Sequence, residues 1–180
     1  MTAVRLETER LVLRDWRDQD FAALHGLCTD PRVMATIGPL HDEAKSHALL
    51  GRLQARQVRD GCTFWAMERK QDGRVLGFCG IARGTVPQIA CELEIGWRVA
   101  FDCWGQSYAR EAAQAALGWM GAAHPAEPVW AITSRGNHRS RGLMERLGMQ
   151  YRPEMDFGHP NIADDSPLKP HVTYWLENAG

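Results

Sequence analysis

The chain has 180 residues, 44% of them hydrophobic and 24% charged, with 21 Lys and Arg against 22 Asp and Glu for a net charge of −1. At this length folding removes roughly 70% of the unfolded chain's accessible surface, so the core needs neither disulfides nor a structural metal. A near-neutral balance and no apolar run of about 18 residues exclude nucleic acid and membrane as general partners, and MTAVRLETER lacks the apolar stretch of a signal peptide.

RLVLR (10–14) alternates apolar and charged residues and predicts a strand with Leu11 and Leu13 on one face. Asp15 and Asp18 precede DFAALHGLC, where Phe21, Leu24 and Leu27 recur at helical spacing, and Asp30-Pro31 ends that helix. From Asp42 to about Arg59 acids lead, bases follow, and Leu49, Leu50 and Leu53 supply an apolar side, which predicts a second, amphipathic helix. CTFWAMER (62–69) and RVLGFCGIAR (74–83) flank Asp72-Gly73 as a hairpin, and ACELEIGWRV (90–99) extends the meander.

WGQSYAREAAQAALGWM (104–120) reads as a long helix, VWAITS (129–134) as a buried strand, and NHRSRGLMERLG (137–148) as a compact helix capped by Asn137. A short strand near 149–152, a Pro- and Asp-rich loop through HPNIADDSPLKP and a strand HVTYWL (171–176) close the chain. The order β-α-α-β-β-β-α-β-α-β-β predicts an α/β (α+β) fold. One mixed, mostly antiparallel sheet carries helices on both faces, in a single domain over 1–180.

The five cysteines (Cys28, Cys62, Cys79, Cys91, Cys103) form no CxxC pair and read as reduced thiols of a cytoplasmic protein. None of the seven histidines stands at HExxH spacing, so no metal is expected. The local chemistry concentrates at GQSYAR (105–110). A Gly and small polar residues before a helix let a ligand approach free first-turn N–H groups, the dipole favours phosphate, and Arg110 adds a charge.

ELEIGWRVAFDCWGQSYAREAA, followed about 30 residues later by NHRSRGLMERLGM, resembles the acetyl-CoA-binding and adjoining motifs of the GNAT superfamily of N-acetyltransferases. The opening LETERLVLRDWRDQD resembles the branch containing the ribosomal-protein N-terminal acetyltransferases, RimJ and RimL, and the element order is similar to the family's fold over nearly the whole chain. The resemblance implies an acetyl-CoA-dependent acetyltransferase with a splayed sheet. Trp97, Arg98 and Val99 would offer backbone groups to the acetyl-pantetheine arm, and Trp104, Gly105, Gln106, Ser107, Tyr108, Ala109 and Arg110 would wrap the pyrophosphate. Against the family's Q/R-x-x-G-x-G/A signature the chain departs at Trp104, in the Gln/Arg position, and at Ser107, in place of the central Gly.

Glu92 and Glu94, two apart on a strand, share a face, and a partly buried carboxylate can be tuned to take a proton from an ammonium nucleophile. The resemblance puts Glu94 beside the acetyl group as the base, Asn137 on the pantetheine arm as well as at the helix cap, and Ser140 at the departing sulfur. Arg135, Arg139 and Arg141 are candidates for the adenosine phosphate, and His159 and His171 for the acceptor pocket. The expected acceptor is a primary amine of a protein N-terminus or a small molecule; its identity and the oligomeric state, a homodimer included, are left open. Two rivals remain: a silent acyl-CoA sensor, and a serine hydrolase built on the GxSxG-like Ser107 with Asp156 and His159 or His171.

Overall fold

A computed structural model describes residues 6–177; residues 1–5, part of the stretch read above for a signal peptide, and 178–180 lie outside it. The strands are β1 (Leu6–Glu7), β2 (Leu11–Arg14), β3 (Phe64–Arg69), β4 (Val75–Arg83), β5 (Leu93–Val99), β6 (Val129–Ser134), β7 (Gln150–Tyr151), β8 (Phe157–Gly158) and β9 (Pro170–Leu176). The helices are α1 (Phe21–Thr29), α2 (Pro31–Met34), α3 (Glu43–Asp60), α4 (Tyr108–Ala123) and α5 (His138–Arg146). All nine strands join one sheet in the order β1-β2-β3-β4-β5-β6-β9-β7, with β8 on β9.

Antiparallel pairing runs through the first five strands, and β4 and β5 match over seven residue pairs from Gly77↔Val99 to Arg83↔Leu93. The next neighbours, β5 and β6, are parallel and pair only at Leu93↔Val129 and Glu94↔Trp130. Beyond that point they part. The crossover between them is α4, which lays Ala112, Ala113, Ala116, Leu117 and Met120 on the sheet; small alanines let the helix sit close.

The sheet separates two cores. Trp65, Ile81, Leu93, Ile95, Val129 and Ala131 face the α4 side, while Trp16, Leu24, Leu50, Leu53 and Phe78 pack under α1 and α3. A register shift opposite Met67/Glu68 lets Leu76 and Phe78 face opposite cores despite being two residues apart. Gly77, at φ 152°, makes this possible: a Cβ there would lie 2.0 Å from the Arg98 carbonyl oxygen.

Helix ends obey their chemistry. Asp42 accepts from the Lys45 amide at the start of α3, and Gly61 closes it in the left-handed region at φ 72°. Asp30-Pro31, read above as an ending, also begins the four-residue α2, with Asp30 accepting the Arg32 amide and Pro31 in the first turn. Three short elements thus add to the expected order: β1, α2 and β8.

Candidate active site

Where β5 and β6 part, an open cleft of about 1090 Å³ passes through the sheet and is lined from both faces. On the α4 side its wall is the loop before α4 together with α5; on the other it is the tail of α2, Phe64, Phe78 and the outward residues of β5, β6 and β9.

The α4-side half is built around two left-handed residues, Gly105 at φ 77° and Ser107 at φ 64°. Helix α4 starts at Tyr108, later than the pattern predicted, because this loop must turn first. Ser107 is its N-cap residue but makes no side-chain cap bond, unlike Asp42 on α3 and Asn137 on α5. The first-turn N–H groups therefore face the cleft with no capping acceptor, an arrangement suited to an anion. Trp104, at the family's Gln/Arg position, donates its indole N–H to the Val99 carbonyl at 2.8 Å and so ties the loop to β5. That bond occupies the Val99 carbonyl, and the Val99 side chain lies in the core.

Arg110, Arg139 and Arg146 line this half, and none has a carboxylate partner among the described residues. Arg139 lies over the Trp104 ring at 4.7 Å. The other candidates for the adenosine phosphate are engaged elsewhere: Arg135 with Asp156 at 3.2 Å, and Arg141 with the Tyr174 hydroxyl at 3.2 Å. Arg146 escaped the sequence reading, although its position one helical turn past Gly142 on the same helix was available as a signal. Gln106 does not line the cleft; its amide donates to the Asp102 carbonyl at 3.0 Å. Tyr108 lines it but turns a buried ring away, under the Arg10 guanidinium at 4.4 Å. Asn137 accepts from the Ser140 amide at 3.2 Å and donates to Thr133 at 2.9 Å, so its cap role is in place, and Ser140 lines the cleft beside it.

On the opposite face Glu94, Gly96 and Arg98 alternate along β5, while Trp97 turns toward the α4 side. Glu94 lines the cleft, and burial pushes its carboxyl up to about 7. Such a group changes protonation near neutrality, as a general base must. Glu92 precedes β5, which begins at Leu93; it is exposed and does not line the cleft.

Ser134 donates to the Thr36 carbonyl at 2.7 Å, tethering the tail of α2 to β6 over this half. His159 and His171 line it with rings 4.7 Å apart, and burial lowers both imidazoles. They make no hydrolase triad: Asp156 accepts from Tyr151 at 2.7 Å and from Arg135, and His171 Nδ1 lies 3.3 Å from the Lys169 carbonyl. Asp164 is bound by Lys169 at 2.9 Å. Among the described residues no cluster of three or more His, Cys, Asp or Glu is placed to hold a metal, and no helix is long and apolar enough to cross a membrane.

The profile of the acetyltransferase (GNAT) domain family matches residues 10–150. YkkB, an uncharacterised protein of Bacillus subtilis, is 33% identical over 148 residues, 82% of this chain and 86% of its own. An acetyltransferase from Agrobacterium tumefaciens superposes with a TM-score of 0.80 at 24% identity, over 99% of this chain and 96% of that one. RimL, a ribosomal L7/L12 alpha-N-protein acetyltransferase solved in complex with coenzyme A, gives 0.77 at 11% identity, over 98% and 99% of the two chains. Those two likenesses are of fold. The profile spans both strands that part around the cleft and the uncapped start of α4, and it settles the family: this chain belongs to the GNAT acetyltransferases.

Proposed function

We propose that this protein binds acetyl-CoA across the parted strands and transfers its acetyl group to a primary amine, of a protein N-terminus or a small molecule, by direct attack. One observation carries the reading: a single cleft has unpaired arginines and an uncapped helix start on one face and a carboxyl raised to about 7 on the other.

On the α4 side the amides of 105–110 and the Arg110 and Arg139 charges hold the diphosphate, with Arg146 near the nucleotide end. The backbone of Trp97, Arg98 and Val99, on the β5 edge that β6 leaves, lines the pantetheine arm, and Asn137 flanks it. A β5 amide polarises the thioester carbonyl. Glu94, directly or through water, takes one proton from the ammonium, and the freed amine attacks the carbonyl carbon. As the amide C–N bond forms and the C–S bond breaks, the nitrogen's second proton passes to the departing CoA thiolate, and Ser140 relays it or donates a hydrogen bond to the sulfur.

Calorimetric titration with acetyl-CoA, with CoA and ATP for comparison, tests the reading. Micromolar binding of acetyl-CoA with little response to ATP is expected, and Arg139→Ala weakens it. Release of free CoA on adding amines then reports turnover. Binding without turnover of any amine would favour the acyl-CoA sensor instead, and no binding would refute the proposal.

A further inference from the structure

Two arginines are packed against the sheet, and the fold treats them in opposite ways. Arg14 on β2 donates to both oxygens of Asp20, at 2.7 and 2.9 Å, and to Glu68 at 2.6 Å. Arg98 on β5 meets no carboxylate among the described residues. Its side chain donates to the Cys28 sulfur at 3.2 Å and lies over the Phe78 ring at 5.2 Å, while its Nε is buried with no partner. Burial pushes the Cys28 thiol up, so it stays neutral and balances no charge. A guanidinium cannot shed its proton to escape the penalty, and a buried cation without a counter-charge is costly.

A second orphan lies close by. His41 Nδ1 is also buried without a partner, and burial, then the Arg98 charge, hold its imidazole low. Lys45 and Arg52 act on it in the same sense; Asp42, the acid that opposes them, caps α3 and pairs with Lys45. The local field is positive, and the neighbourhood of Arg98 supplies no acid to balance it.

Position completes the argument. Glu94 and Arg98 share one face of β5, four residues and about 13 Å apart at about 3.3 Å per residue. The residue between them on that face is Gly96, and the Phe64 ring fills the space its side chain would take, at 3.0 Å. Phe64 stacks in parallel on Phe78 at 5.8 Å, so an aromatic wall runs from the carboxyl to the cation. Glu94, Phe64, Phe78 and Arg98 all line the cleft.

We infer that the acceptor carries a carboxylate: a short peptide or derivative with a free carboxyl group, whose amine lies at Glu94 and whose carboxylate is held by Arg98. The inference rests on the proposed acetyl transfer and names its substrate class. Arg98 is then a specificity-determining residue. Its charge is balanced by the substrate rather than by the chain.

The experiment compares dipeptides and tripeptides with the same compounds as C-terminal amides, following CoA release in the parent and in Arg98→Gln. The parent should prefer the free carboxylates by about tenfold to a hundredfold in kcat/KM, the worth of one hydrogen bond between charged groups. In Arg98→Gln that ratio should fall to near one, whatever happens to the absolute rate, and Arg98→Lys should restore part of it. A parent that prefers amides, or a ratio unchanged in Arg98→Gln, overturns the inference. If the variant fails to fold, the parent's ratio still decides. If no amine is acetylated at all, the proposed function fails, and the subsite is judged by thermal shift of the parent with N-acetyl dipeptides and their amides in the presence of CoA. Stabilisation by the free acids alone upholds it; equal response to both overturns it.

Discussion

Replacing Glu94 with Gln tests the site without knowledge of the acceptor. In the unfolded chain this carboxyl titrates near its ordinary 4.5, and in the folded protein burial pushes it up to about 7. The native state therefore holds the proton more tightly. The stability this group contributes is full below about pH 4.5, falls as pH rises toward about 7, and is lost above that. A tenfold change in proton affinity is worth about 1.4 kcal/mol, so the whole rise corresponds to about 3 kcal/mol. Water in the open cleft screens part of this, leaving about 2 kcal/mol. Gln carries no charge at any pH. Urea unfolding of both proteins should show the variant gaining about 2 kcal/mol on the parent between about pH 5 and pH 8. In turnover assays the parent's kcat/KM should climb through about pH 7, with the variant lower by about 10²- to 10⁴-fold and without that rise. A stability difference that stays constant across the range would mean that the carboxyl is not raised, and its role as base would fall with it.

Three further outcomes are expected. Ser107→Gly relieves a left-handed residue that costs about 1–2 kcal/mol with a Cβ, against about 0.5–1 kcal/mol of extra chain entropy for glycine. Denaturant unfolding should therefore show a gain of about 0.5–1 kcal/mol, and a loss would contradict the φ of 64°. Asp20→Asn strips the bidentate partner from buried Arg14 and should lower stability by about 3 kcal/mol; a change below about 1 would show that Glu68 alone suffices. A thiol reagent should label the exposed Cys91 quickly in the native protein and all five cysteines in urea, since the other four are buried and burial pushes Cys79 up to about 12. Rapid native labelling of a second thiol would refute that burial.

Much of the fold was legible because its signals are local. Alternation in RLVLR, the Asp72-Gly73 turn and the caps at Asp42 and Asn137 each act within a few residues, and the strands and helices they mark stand where expected. What escaped was too short to show a period: β1 and β8 have two residues each and α2 four. Glu94 and the 104–110 loop were legible through the family motif, but the loop's physical basis was not. The φ values of Gly105 and Ser107 explain why glycine fits the signature's central position, which a residue string cannot state. Strand spacing could not tell Glu92 from Glu94, because the difference between them is that only Glu94 reaches the stretch where β6 leaves and the cleft opens. The solitude of Arg98 was invisible for a different reason. It depends on which acids fail to come near, and Asp20 and Glu68 choose Arg14 only once β2, β3 and the turn before α1 are assembled.

An open sheet ordinarily has two rims; the divergence of β5 from β6 after two residue pairs gives this one four. Rims are hazards because their free amides and carbonyls recruit foreign strands. The inner two are walled by the loop before α4 and by α5 on one face and by the tail of α2, tied down through Ser134 and Thr36, on the other. The gap between those walls suits a slender chain without neighbours, which a strand of another folded protein is not. The same exposed backbone that would invite aggregation at the outside of a sheet becomes, inside it, a filter for thickness.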